Sequence, residues 1–368
     1  MSERRTVRIV ASIAAIVVVG ALATACSDGG TGAAASSAST TQAGKRVKLI
    51  APSGLRAVLG RERSTRRAST TSTTTTTAPP TTTTRPSAPF PVAHFSTTFV
   101  DPSRAQPPRD GTPAQPSRTI HTTIWYPAAV APTPEQPTPA AGAGQYPLVV
   151  FAHGFGIDAG SYATLLHDIA MGGYVVAAPD FPGTSTAYAG SPVREDSLNQ
   201  PADISFVITS MTALAQQAGP LHDAIVPDVV GVNGQSDGGV TATAAGWNTC
   251  CQDPRIKAGV IYTGATFAFE GEWFPPGSPP IMFVHATADE VNGYGASTSM
   301  YERAQSPKYL LTIEGGSHLE PYVEPPWVAQ VAAATVAFFD QYLQNDPSAA
   351  QRLATVGNQP GFMTLQAG

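Results

Sequence analysis

Residues 229–239 read Val-Val-Gly-Val-Asn-Gly-Gln-Ser-Asp-Gly-Gly. A short apolar run that ends in Gly-x-Ser-x-Gly describes a buried strand turning sharply into a helix. The serine at such a turn is held in a strained conformation with its hydroxyl lifted above the sheet. Gly234 and Gly238 suit that turn because side chains two residues either side of Ser236 would crowd it, and Gly239 adds room. A flexible Gly/Ser loop would match the same letters, so the reading needs support from the rest of the chain.

Around this stretch the pattern alternates between strand and helix. Thr119 to Tyr126 has the loose alternation of an antiparallel strand, and a Pro/Ala/Gly loop follows from Pro127 to Gly144. Leu148 to Ala152 and Tyr174 to Asp180 are continuous apolar runs, as strands buried on both faces are. Ser161 to Met171 has helical spacing with Tyr162, Leu165, Leu166 and Ile169 on one face, and Asp203 to Leu214 also reads as a helix. Ala258 to Tyr262, Ile281 to Val284 and Tyr309 to Ile313 continue the strands, and Trp327 to Leu343 is a closing amphipathic helix. This order predicts an α/β fold: a mostly parallel central sheet with helices on both faces.

The first 89 residues are different. Arg4, Arg5 and Arg8 precede an apolar run from Ile9 to Ala23, then Ala-Thr-Ala-Cys26. The run is shorter than the ~20 residues that span a bilayer, which predicts a signal peptide over residues 1–25. The ending resembles a bacterial lipobox, with Cys26 as the lipidated residue; ordinary secretion after Ala25 is the alternative. Residues 26–89 are rich in Ser, Thr, Ala, Gly and Pro and are expected to form a disordered stalk, open to O-glycosylation, that holds the domain off a membrane. The basic segment 45–67 reads either as a contact for anionic lipid or wall polymer or as a solvated charge run. Residues 26–88 carry nine Lys/Arg against two acids, whereas residues 89–368 carry nine against 23. So acidic a domain argues against nucleic acid as a partner. The remaining cysteines, Cys250 and Cys251, are adjacent; they form either a vicinal disulfide or a pair of buried thiols, and neither has a catalytic motif around it.

If Ser236 is a nucleophile it needs a base to take its proton and a carboxylate to orient that base. On this architecture the order is Ser, then Asp or Glu, then His, at the ends of later strands. Asp289 lies five residues beyond Val284, and His318 five beyond Ile313. Glu290 competes with Asp289. His285, His222 and His167 compete with His318, but His285 belongs to a strand end and the other two precede Ser236 on or beside helices. Oxyanion donors are expected from the backbone N–H of Asp237, at a helix start, and of Phe155, in the loop after Ala152. The Asp237 carboxylate is expected to point away and cap the helix, and His153 to order its own loop.

These residues make the stretch from about Phe90 to Leu343 resemble an α/β-hydrolase. It is most similar to the branch holding chlorophyllases, dienelactone hydrolases, platelet-activating-factor acetylhydrolases and cutinase-like polyesterases. The resemblance rests on Val150 to Phe155, Gly173 to Asp180, Pro201 to Ile204, Gly234 to Gly239, Thr287 to Val291 and Gly315 to His318. It departs at Gln235, where His is commoner, and at Asp237, where polyesterases often carry Met. The resemblance implies a domain over 90–345, followed by a tail over 346–368. It also implies ester hydrolysis through an acyl-enzyme and no metal or organic cofactor; Phe155, Ile157, Tyr162, Trp273 and Leu319 read either as the lining of an acyl pocket or as ordinary core and rim residues. No inserted lid is evident, which favours soluble or short-chain esters over lipid droplets. Two other readings share these residues: a lipid-anchored binding protein on an inactive hydrolase fold, and an amidase or peptidase.

Overall fold

The computed structural model describes residues 88–133, 138–142, 146–266 and 269–368. The signal peptide with Cys26 and nearly all of the stalk lie outside the described residues. Nine strands appear among the described residues: β1 Val92–Asp101, β2 Arg118–Pro127, β3 Tyr146–Ala152, β4 Val175–Asp180, β5 Ile225–Gln235, β6 Ile256–Tyr262, β7 Ile281–Ala286, β8 Lys308–Ile313 and β9 Met363–Ala367. They form one sheet in the order β1-β2-β4-β3-β5-β6-β7-β8-β9. The central six, β3 to β8, are parallel; β1, β2 and β9 add antiparallel edges.

The seven helices are α1 Ala163–Met171, α2 Gln200–Ala215, α3 Asp237–Trp247, α4 Gly295–Arg303, α5 Glu320–Val323, α6 Trp327–Leu343 and α7 Ala349–Gly357, counted among the described residues. Successive side chains of a strand point to opposite faces, so an unbroken apolar run serves two cores at once. In β3, Leu148, Val150 and Ala152 pack with Ile204, Val207 and Met211 of α2 and with Ala242 and Ala245 of α3. Their neighbours Val149 and Phe151 pack on the other face with Leu165 and Ile169 of α1 and Val331 and Phe338 of α6. Helices therefore cover both faces, as the strand pattern requires.

Three differences from the sequence reading have physical causes. Helix α2 begins at Gln200, three residues before Asp203, because proline is tolerated in a first helical turn and Pro201 sits there. Residues 346–368 are not a tail: α7 packs Leu353 into the core and β9 pairs with β8 from Ile313↔Met363 to Tyr309↔Ala367. Strand β1 pairs along its full length with β2, with Phe95 and Phe99 inward and His94, Ser96 and Thr98 exposed. Such short or half-polar segments gain order from a neighbouring strand and carry little signal alone. Cys250 and Cys251 are bridged to each other between α3 and β6.

Candidate active site

Strands β5, β7 and β8 end on the same edge of the sheet, and Ser236, Asp289 and His318 follow them in turn. Ser236 sits between the last residue of β5 and the first of α3 with φ 56° and ψ −123°. That conformation is costly for a residue with a side chain. Its surroundings hold it there: Ser236 N–H donates to Tyr262 O at 3.0 Å, and Val240 N–H to Ser236 O at 3.0 Å. The flanking glycines are needed for space. A Cβ on Gly238 would stand 2.1 Å from Ala152 O, and one on Gly234 would stand 2.3 Å from Gly238 O.

The three side chains form one hydrogen-bonded line. Ser236 Oγ lies 2.8 Å from His318 Nε2, and His318 Nδ1 lies 2.8 and 3.0 Å from the two Asp289 oxygens. A carboxylate accepts only, so Nδ1 carries the proton and Nε2 is left to accept from the serine hydroxyl. Glu290 is turned elsewhere and accepts the backbone N–H of His318 at 3.2 Å.

Asp289 is held by more than His318. Val291 and Asn292 N–H groups donate to Oδ1 at 2.9 and 2.8 Å, and Thr263 Oγ1 donates to Oδ2. His285 Nε2 stands 3.2 Å from Oδ2 and 2.7 Å from Asn292 O. That places a proton on Nε2 and leaves Nδ1 to accept from Ser297 Oγ at 2.7 Å. Burial alone would push the Asp289 carboxyl up. The hydrogen bonds from His285, His318 and Thr263 outweigh it and hold the group well below the usual carboxylate range.

The loop after β3 abuts the serine, since a Cβ on Gly154 would stand 3.4 Å from Ser236 Cβ. Phe155 follows it, and Asp237 begins α3, where first-turn N–H groups have no partner within the helix. The loop is fixed by His153, which is buried, donates from Nδ1 to Gly154 O at 2.7 Å and accepts the Phe181 N–H on Nε2 at 2.9 Å. Burial pushes its imidazole below the ordinary histidine value. Gln235 joins the two sides of the site: its amide donates to His318 O at 3.0 Å, and its Oε1 accepts from Tyr162 OH at 2.8 Å.

Several sequence expectations are corrected. The Asp237 carboxylate does not cap α3; both oxygens are 2.7 Å from Arg194 Nη1. Tyr162 is wholly buried, with its hydroxyl also accepting the Gly154 N–H at 3.3 Å, so it supports the loop from beneath instead of lining a pocket. Trp273 bridges Asn248 at the far end of α3, about 16 Å from Ser236 for eleven helical residues. It cannot line the same pocket. Ile157 and Leu319 are half-buried and pack on the same core face, and Phe155 is half-buried under Arg194. The residues that sequence reasoning missed are Thr263 and Arg194, together with the bracing roles of His285, Gln235 and Tyr162. Thr263 has φ 45° at the end of β6, a conformation with no signature in its neighbours.

The chlorophyllase family model matches residues 123–258, which run from β2 to the start of β6 and include the Ser236 turn. No curated protein matches the chain. Among solved structures the chain is similar to a ferulic acid esterase from Streptomyces cinnamoneus. The match has 20% identity and a TM-score of 0.53, and covers 72% of this chain and 94% of that one. The chain has the α/β-hydrolase fold, and the chlorophyllase-model match supports an esterase-type hydrolase.

Proposed function

We propose that this protein is an exported serine carboxylesterase working by two-step acyl transfer. Ser236 Oγ attacks the ester carbonyl carbon while His318 Nε2 takes the hydroxyl proton. The carbonyl oxygen, now negative, is met by the N–H groups of Phe155 and Asp237. Collapse of that intermediate breaks the bond to the alcohol, which leaves with the proton from His318. Water then repeats the sequence on the acyl-serine, losing its proton to His318, and the acid departs as Ser236 recovers its hydrogen. Asp289 keeps Nδ1 protonated and stabilises the imidazolium in both steps. Phe155, Ile157 and Leu319 form the apolar rim offered to the ester.

The unbroken line from Ser236 Oγ through His318 to Asp289 carries the reading. The test is hydrolysis of p-nitrophenyl butyrate. Ser236→Ala is expected to lose at least about ten-thousandfold in kcat with an unchanged thermal unfolding midpoint, and a fluorophosphonate is expected to label Ser236. Unchanged turnover in the variant, or no adduct, rejects the assignment. An amide analogue cleaved as fast as its matched ester would make the enzyme an amidase. Export and lipid anchoring at Cys26 belong to the same proposal on the sequence pattern alone, and the mass of the mature N-terminus tests them.

A further inference from the structure

The carboxylate beside Ser236 is an electrostatic problem for an esterase. Asp237 is to offer its N–H to a developing oxyanion, yet its own side chain is negative and, with 6% of the residue exposed, poorly screened by water. The charge and the donor belong to one residue, so the carboxylate cannot lie far from the oxyanion. Left alone it would raise the energy of the state the N–H is meant to stabilise.

Arg194 answers it. The residue begins a short 3-10 turn over Arg194–Asn199, 43 positions before Asp237, and its guanidinium meets both Asp237 oxygens through Nη1 at 2.7 Å. The same group lies over the ring of Phe155, with Cζ 4.3 Å from the ring centroid. One cation therefore touches the side chains of both residues proposed to supply oxyanion donors. Four other charged groups of the site and the neighbouring turn are committed elsewhere. His318 faces Ser236 and Asp289, Asp289 takes its own donors, Glu290 accepts the His318 N–H, and Asp196 binds Arg118.

We infer that Arg194 is a positioning residue for the ester reaction: it neutralises Asp237 and seats Phe155, so that two backbone donors converge without an uncompensated carboxylate on the residue that carries one of them. The inference rests on the proposed esterase activity. The ester carbonyl is neutral in the ground state and negative only after attack, so losing the cation should fall on kcat and spare KM. The imidazolium of His318 would gain from a bare Asp237 carboxylate, but Asp237 addresses the oxyanion more directly, through its own N–H.

The test is a cycle of variants assayed with p-nitrophenyl butyrate. Arg194→Met keeps an unbranched apolar stem against Phe155 and removes the charge; kcat is expected to fall roughly thirtyfold with KM within about twofold. Arg194→Lys keeps a cation able to reach Asp237 and should retain most of kcat. In the Asp237→Asn background, Arg194→Met should cost less than about threefold, because no carboxylate is left to neutralise. Equal losses in the two backgrounds would reduce Arg194 to a packing residue and overturn the inference, as would a gain in kcat on removing the cation. A wild-type protein that hydrolyses no ester would remove the esterase reading and this inference together, whereas an active wild type with no coupling removes the inference alone. Thermal unfolding of each variant shows whether a loss of activity is a loss of fold.

Discussion

Asp203 and Asp289 are both buried carboxylates gripped by several donors, and of the pair Asp289 alone belongs to the candidate active site. Asp203 of α2 accepts from Arg118 Nε at 2.8 Å and from its Nη2 at 2.5 Å, and Arg104 Nη2 stands 2.7 Å away. Asp289 accepts from two backbone N–H groups, Thr263 and His318, with His285 beside it. Burial pushes the Asp203 carboxyl up and outweighs Arg118 and Arg104, with a smaller push from the charge of Asp196, which shares the same guanidinium. Asp289 meets two backbone N–H groups, a hydroxyl and two imidazoles, and its carboxyl is held down. Bond count alone does not make a site. What differs is that His318 passes the interaction on, through its far nitrogen, to a hydroxyl on a half-exposed residue. The guanidinium of Arg118 only donates and stays charged, so it hands no proton on.

The comparison breaks first at Asp289. Asp289→Asn is expected to cost about ten-thousandfold in kcat by favouring the wrong imidazole tautomer, with the unfolding midpoint nearly kept; a loss under about tenfold would place Asp289 with the merely structural carboxylates. Next comes Arg118→Met. It leaves Asp196 and Asp203 buried without their main partner and should remove about 3–5 kcal/mol of stability in a urea titration, while kcat per folded molecule stays within about twofold. A large kcat effect at full folding would show that the two clusters communicate.

The smallest effect is a pH slope. His153 is held neutral by burial, so its folded pKa lies below its unfolded value. Below about pH 6.5 the unfolded chain binds a proton there that the folded protein refuses. That residue's contribution to stability therefore falls as pH drops, with a limiting slope of about 1.4 kcal/mol per pH unit. Denaturation of wild type and His153→Gln at pH 7 and pH 5 should show the shallower acid dependence in the variant. Equal slopes would mean that the imidazole protonates in place.

The three candidate residues were legible because each is tied to a local pattern. Gly234 to Gly238 can be read as a turn from their lack of side chains, and Asp289 and His318 from their distance past an apolar run. Tyr162 and Trp273 were misplaced for the opposite reason: an aromatic residue has the same letter in a core, at a helix end or in a pocket. Tyr162 is in fact sealed under the Gly154 loop, and Trp273 lies at the wrong end of α3.

The sequence by itself determined the alternation of strands and helices, both buried faces of β3 and β4, and Ser236, Asp289 and His318 as candidates, which the fold brings into one hydrogen-bonded line. These follow from short-range periodicity and from what a tight turn permits. Only the tertiary structure decided that Thr263 and His285 brace Asp289, that residues 346–368 complete the sheet, and that Arg194 meets Asp237. Each of those depends on which distant segments fold back to the same edge, a long-range outcome of packing that no local spacing encodes.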